Sequence, residues 1–325
     1  MEDVACDFCD SREAVEVTRQ TDILHRTTDE VFAIMRCTNC GLQFVNPRPT
    51  PDEISRYYAA HYSFHAAPSR LRRFTADVLE AIANGPFHAL CGLVPHVGRK
   101  LGAHVKPRIA DPVRRYLPPG PQRRMLDIGC GAGMHAHFWG HRGSLLEYRR
   151  LAEVSGVETG DTARRVLEAK GIAAFRSIDE IPATERFDII RMNWSLEHVH
   201  SPAHYFRFIA AHLAPQGKAV IAVPNYDGLL YRIAPDCVEL PIHLYHFRLQ
   251  DILNYAKKFG LSVIESTTFS YPEMYVVAAA ACASLHGAFP GALGVAEARQ
   301  MQKTLSRFDA LGLGNDLLCV LEKAA

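Results

Sequence analysis

Residues 126–133 read LDIGCGAG: an apolar run carrying Asp127, then Gly129, Gly131 and Gly133 at alternate positions. Such a pattern reads as a buried strand that opens into a loop with a bare backbone. Several phosphate ligands are excluded at once. A Walker loop needs Gly-Lys-Ser/Thr, and no lysine follows these glycines. The dinucleotide fingerprint G-x-G-x-x-G needs a glycine at position 134, which is Met134. Asp127, at the carboxyl end of the strand, would also repel a pyrophosphate.

A cationic ligand suits that aspartate better. S-adenosylmethionine qualifies: its sulfonium and ammonium are positive, it carries no phosphate, and its body must lie close to a loop without side chains. Glu158, which closes the next apolar run AEVSGVE, supports this reading, because an acidic side chain there accepts hydrogen bonds from both ribose hydroxyls.

Outward from this loop the chain alternates short apolar runs with helical stretches, the signature of an α/β, doubly wound, mostly parallel sheet. RMLDIG, AEVSGVE, residues 173–176, FDIIRMN, KAVIAVPN, LSVIEST and LLCVLEKA supply seven strands. HAHFWGHRG, GDTARRVLEAKG, SPAHYFRFIAAHLAPQG and LQDILNYAKKFG read as helices between them. Residues 271–314 form a further helical insertion, whose YVVAAAACASL is apolar all round and fits a buried helix, a dimer contact or a membrane-facing patch.

The amino-terminal part carries different chemistry. CDFC (Cys6, Cys9) and CTNC (Cys37, Cys40) are two pairs with the spacing of zinc knuckles, and Gly41 allows the tight turn the second one needs. Four thiolates complete a closed tetrahedral site, so this zinc is expected to fold the chain and not to catalyse. Three units result: a zinc ribbon over 1–50, a helical linker or lid over 51–120, and the ligand-binding domain over 121–325. Pro51–Glu53 reads as a helix start, and Leu71, Phe74, Val78 and Ile82 recur at helical spacing.

At 325 residues with 48% hydrophobic side chains, the chain can bury a large core, and its net charge of +1 gives no polyelectrolyte character that would favour nucleic acid. The charge is uneven, however. Residues 66–125 hold eleven basic side chains against three acidic ones, a local +8 that suits a phosphorylated acceptor or peripheral membrane contact if the segment lies over the site. MEDVACDFCD lacks a basic-then-apolar leader pattern, and no apolar run reaches the ~18 residues of a span, so the expected location is the cytoplasm.

LDIGCGAG, VSGVE, FDIIRMNWSLEHV, LAPQGKAVIAVPN and PIHLYHF together resemble the class I S-adenosylmethionine-dependent methyltransferases, from about Arg123 to Thr267 and again in the last strand. CGLQFVNPRP after the second knuckle is similar to a subgroup that prefixes a zinc ribbon and acts in glycan or natural-product pathways. The resemblance implies a seven-stranded Rossmann-like sheet. It implies that Asp127 and the loop Gly129, Cys130, Gly131 and Gly133 hold the methionine portion, and that Glu158 holds the ribose. Ser177 and Ile178 would flank the adenine, and Asn193 and Trp194 would line the cofactor after the fourth strand.

An oxygen or carbon acceptor must lose a proton as it is methylated, which calls for a base. His198 in LEHV and His243 and His246 in PIHLYHF are the candidates, with Tyr231 and Tyr245 as acceptor-side polar groups. O-methylation of a small-molecule or sugar acceptor is the leading expectation. C-methylation, and a scaffold that binds cofactor without turnover, are the rivals.

Overall fold

The computed structural model describes residues 1–58, 70–86, 88, 94–107, 109–117, 122–133, 144–286 and 292–324. The helix expected over HAHFWGHRG, most of the proline linker at 117–121, Cys91 and Arg108 lie outside the described residues. So do the side chains of Arg70, Arg72, Arg73 and Cys282.

Seven strands form the central sheet as expected: β4 (Arg124–Ile128), β5 (Glu153–Val157), β6 (Ala173–Phe175), β7 (Phe187–Asn193), β8 (Leu213–Pro224), β10 (Leu261–Phe269) and β11 (Asp316–Lys323). Their order is β10-β11-β8-β7-β4-β5-β6. The five strands from β8 to β6 run parallel, whereas β11 pairs antiparallel with both β8 and β10. After β6 the chain crosses back to place β7 on the other side of β4. That reversal opens a crevice at the carboxyl ends of β4 and β7, where sheets of this kind bind ligands.

The parallel strands are buried on both faces, which explains their unbroken apolar runs. One large cluster packs Leu126, Ile128, Ile190, Met192 and Ile221 against the helix Pro202–His212 through Phe206 and Ile209. A second packs Met125, Val154 and Ile189 against Tyr148 and Leu167 on the other face.

The ribbon does not stand apart from this domain. Its strands β1 (Ala14–Gln20), β2 (Phe32–Cys37) and β3 (Gln43–Val45) are joined by β9 (Tyr245–His246), which comes from the loop after β8. Cys6, Cys37, Leu42 and Phe44 belong to the large cluster of the central domain. After the expected helix start at Pro51–Glu53, the described residues make a 3-10 turn, Ile54–Tyr57.

The helix Arg70–Asn84 forms as its apolar spacing suggests, but its first turns expose Leu71 at 74% and Phe74 at 66%. Only its carboxyl half is seated, with Ile82 and Ala83 against Leu101, Val295 and Ala298 of the helices Pro95–Gly102 and Val295–Asp309. The insertion over 271–314 is thus two helices, Pro272–His286 and Val295–Asp309. Tyr275, Ala278 and Ala281 of the first are buried beneath Leu230 and Leu305. No helix among the described residues is long and apolar enough to cross a membrane.

Candidate functional site

The glycine loop leaves β4 with three left-handed residues: φ is +75° at Gly129, +53° at Gly131 and +70° at Gly133. A Cβ at Gly129 would stand 2.4 Å from the Ser195 Cβ, and one at Gly133 2.5 Å from Leu167 Cδ2. The glycines are therefore demanded by the loop's own packing as well as by any ligand. Backbone bonds from Gly129 and Cys130 to the Val157 carbonyl, at 2.8 and 3.2 Å, seat the loop on the end of β5.

Glu158 is buried beside it. One carboxylate oxygen accepts from the Gly131 amide at 2.9 Å, the other from Gly160 at 2.7 Å. It splints the loop at the strand end where a ribose would lie, and a carboxylate oxygen has lone pairs left for hydroxyl donors.

Asp127 sits differently from the expectation. Both of its oxygens are taken by Arg191, from Nε at 2.8 Å and Nη2 at 2.6 Å, in a fully buried fork. The guanidinium packs over the Tyr148 ring at 5.1 Å, and Tyr148 donates to Asp111 at 2.8 Å. Asp111 in turn caps the helix Pro112–Tyr116. The Asp127 carboxylate braces β4 to β7. Arg191 was missed in sequence, although a lone arginine inside the apolar FDIIRMN, directly opposite Asp127 in the parallel register, was the signal.

Cys130 is a packing residue, its sulfur filling the space above Gly156. Ile178 is buried in the large cluster, and Ser177 caps the 3-10 turn Ile178–Glu180 by accepting from the Asp179 amide.

Asn193 ends β7. Trp194 follows in the left-handed conformation at φ +49°, rare for a bulky residue and of the kind stored at functional sites. Its Nε1 donates to Asp316 at 2.8 Å, and Asn315 donates to the other Asp316 oxygen at 2.7 Å. Burial pushes the Asp316 carboxyl up to about 7, with the Trp194 bond opposing.

This group gives a pH prediction. The folded state keeps a proton on Asp316 that the unfolded chain, near its ordinary 3.8, releases. The resulting stability is complete below pH ~4 and is lost as pH rises through ~7. Asp316→Asn should remove that part of the slope, on the order of a few kcal/mol. Asn315 Oδ1 has no partner among the described residues and can turn to accept from the new amide. Urea unfolding of both proteins at pH 4.5 and 8 measures it; parallel slopes would refute the assignment.

On the acceptor side, the turn Leu196–His198 follows directly from Ser195, which touches Gly129 and donates to the Ile128 carbonyl at 2.8 Å. His198 and His243 meet edge to face with centroids 4.7 Å apart. His198 Nδ1 lies 2.9 Å from the Ile242 carbonyl, which assigns its proton to that nitrogen. Burial first, then His243, push its pKa down to about 3; burial also depresses His243, with Glu239 opposing.

Both rings are therefore neutral at pH 7. Glu197 is 1% exposed, its Oε1 lies 4.0 Å from His198 Nε2, neither carboxyl oxygen has a hydrogen-bond partner among the described residues, and burial holds it protonated. His246 lies in β9, its ring 4.7 Å from Tyr226 and its Nε2 without a hydrogen-bond partner among the described residues.

Two residues change role. Tyr245 accepts from Arg48 at 2.9 Å and donates to the His200 carbonyl at 3.1 Å, so its hydroxyl ties the ribbon to the domain and is not free for an acceptor. Tyr231 is stacked on Tyr226. Glu239 and His25, absent from the sequence reading, complete the group: His25 Nε2 is 2.9 Å and His243 Nε2 3.8 Å from Glu239 Oε2.

Five of the eleven basic side chains of the +8 stretch are paired, three of them with acids from outside it. Lys106 pairs with Glu80, Arg114 with Asp111, Arg115 with Glu265, Arg123 with Asp188 and Arg124 with Glu185. Arg123 and Arg124 also stand at the start of β4, the edge opposite the loop.

At the ribbon, the sulfur atoms of Cys6, Cys9, Cys37 and Cys40 all lie within 4.8 Å of one another, with 3.4 Å between Cys6 and Cys40 and 3.5 Å between Cys9 and Cys37. Thiolates 2.3 Å from a tetrahedral zinc stand about 3.8 Å apart, so the cluster has the size for that ion. Each knuckle closes by a backbone bond, Asp10 to the Cys6 carbonyl and Gly41 to that of Cys37.

With glycine loop, strand-end acid and switch-point crevice in place, the match of residues 101–266 to a family of methyltransferase domains fits the geometry. That match spans half of the chain, and the protein belongs to the family, as a class I S-adenosylmethionine-dependent methyltransferase. A ubiquinone biosynthesis O-methyltransferase of Alkalilimnicola ehrlichii is 30% identical over 139 residues, covering 40% of this chain and 53% of that protein. One of Marinobacter nauticus is 24% identical over 169 residues, covering 46% and 68%. The chain spans about half the length of the curated relatives it matches. A solved O-methyltransferase from a trans-AT PKS multienzyme of Brevibacillus brevis, in complex with S-adenosyl-L-homocysteine, aligns at TM-score 0.41 and 14% identity, covering 76% of this chain and 79% of that one.

Proposed function

We propose that the chain transfers the methyl group of S-adenosylmethionine to an oxygen of a small-molecule or sugar acceptor, in the cytoplasm, with the four-cysteine site holding a structural zinc. The neutral pair of half-buried His198 and buried His243, one turn from the glycine loop, carries this reading. A base must be unprotonated before it acts, and burial keeps these rings so at neutral pH.

In the step proposed, His243 takes the acceptor hydroxyl's proton as that oxygen attacks the methyl carbon. The carbon–sulfur bond breaks, and the sulfonium leaves as the neutral thioether of S-adenosylhomocysteine. Alignment of the two reactants supplies most of the acceleration. Gly129 to Gly133 and Glu158 would hold the methionine and ribose portions, with Trp194 and Asn193 along the cofactor. The printed names of the curated relatives favour oxygen over carbon as the acceptor atom.

The test is thermal unfolding of zinc-loaded protein with and without S-adenosylhomocysteine. At ~100 times its dissociation constant the ligand should add about 2.7 kcal/mol, a rise of roughly 5–10 °C. Glu158→Ala should abolish the rise, whereas His243→Ala should keep it and lose turnover. No rise in wild type would end the cofactor reading; full turnover by His243→Ala would end the base assignment. Phosphorylated and plain forms of one acceptor, compared in turnover, test the acceptor's charge.

A further inference from the structure

We propose that His25, carried by the zinc ribbon, is a positioning residue of the acceptor site that holds the Glu239 carboxylate against His243. This rests on the reading above that His243 faces the acceptor.

The segment between β1 and β2, residues 21–31, is longer than the roughly two to five residues of an ordinary hairpin loop. It is an ordered finger. Asp22, 3% exposed, accepts from the His25 amide at 2.9 Å, the Thr27 amide at 3.0 Å and the Thr27 hydroxyl at 2.7 Å. Arg26 takes the left-handed conformation at φ +52°, which turns the chain beside His25.

Both flanks are fastened. Gln20 donates to the Asp236 carbonyl at 2.7 Å, while Ile23 and Leu24 pack against the cluster of Leu230, Cys237 and Tyr275. These contacts deliver the His25 ring to Glu239.

The result is one carboxylate oxygen shared by two imidazoles, His25 at 2.9 Å and His243 at 3.8 Å. The His243 amide also donates to the Glu239 carbonyl at 2.8 Å, which fixes the turn carrying both. The other ionisable groups nearby are His198 and Glu197 on the loop after β7, and Tyr58 and Tyr231 on the ribbon side and the loop after β8.

Burial alone would leave Glu239 protonated. His243 and His25 together draw it down to about 2, and Glu239 in turn raises His25 above its usual range. An ionised oxygen at that distance favours the imidazolium that forms when His243 takes a proton. Without His25, Glu239 gains freedom to protonate or to turn away.

The experiment uses the full, zinc-loaded chain as wild type, His25→Ala, His25→Gln, Glu239→Gln and the His25→Ala/Glu239→Gln double variant. Carbon NMR of the Glu239 carboxyl, which needs no turnover, should show its titration rising by more than one unit in His25→Ala. With a turned-over acceptor, kcat should fall at least tenfold in His25→Ala and in Glu239→Gln, with KM for S-adenosylmethionine unchanged. The double variant should be no slower than the slower single one.

His25→Gln keeps a donor of similar reach and should recover part of the loss, and it carries the test if the alanine variant loses zinc or melts early. An unmoved Glu239 titration, wild-type kcat in His25→Ala, or losses that multiply in the double variant would overturn the proposal. A shifted titration in a protein that methylates nothing would instead keep the contact and remove the methyl-transfer reading.

Discussion

Arg191→Met is expected to cost about 3–5 kcal/mol, because it strands the buried Asp127 carboxylate without a counter-charge. In a chain of this size that lowers the unfolding midpoint by roughly 10 °C or more. The loss should reach the ligand as well, since Asp127 precedes the glycine loop by two residues and an uncompensated charge there cannot stay buried beside Gly129. S-adenosylhomocysteine should then produce no thermal shift.

The informative comparison is the double variant Asp127→Asn/Arg191→Gln. A neutral pair of similar shape removes the stranded charge, so most of the stability should return. If the ligand shift returns with it, the carboxylate only braces the loop. If stability returns without the shift, Asp127 itself contributes to the cofactor's positive end. Should Arg191→Met unfold at the wild-type midpoint, the account of the buried pair is wrong.

The difference between what sequence revealed and what it hid follows from the range of the contacts. Seven strands were readable because each is a short, largely apolar stretch set off by helices or turns, and the four-cysteine cluster because both cysteine pairs are local patterns. His198 and His243 were found as members of short motifs. Arg191 needed the register of two parallel strands 64 positions apart, and the His25–Glu239 contact joins residues 214 positions apart.

Nothing local announces such pairs. A sequence boundary at residue 50 likewise separates the ribbon from the loop after β8, yet β3 and β9 share backbone hydrogen bonds across it. The apolar spacing of Arg70–Asn84 gave the helix but not its partner, because periodicity says which face is apolar and not how much of it is covered.

Removal of the zinc proposed at Cys6, Cys9, Cys37 and Cys40 is expected to have the larger consequence. Binding of structural zinc by such sites is worth about 10–16 kcal/mol, as much as the whole stability of an ordinary domain. The ribbon also rests on the central domain through Phe44, Arg48 and Tyr245, but β1 is largely exposed and the two knuckles meet at the sulfurs. Losing them frees β3, and β3 is what pairs with β9 through Gln43–His246 and Phe44–Tyr245.

The acceptor loop should loosen with the ribbon, since Val238, Leu240 and Ile242 pack on Phe32, Ile34 and Val45 of β2 and β3. The cofactor crevice lies between β4 and β7, whose partners are all in the central sheet. Zinc removal should therefore separate the two halves of the site: turnover falls by at least a hundredfold while S-adenosylhomocysteine still raises the unfolding midpoint of the central domain. Hydrogen exchange should quicken over residues 238–247 and remain slow in β4 and β7. Cys37→Ser should reproduce the pattern without a chelator. A metal-free protein with wild-type turnover would show that the ribbon does not support the acceptor loop, and loss of both turnover and ligand shift would show that the ribbon holds the entire domain together.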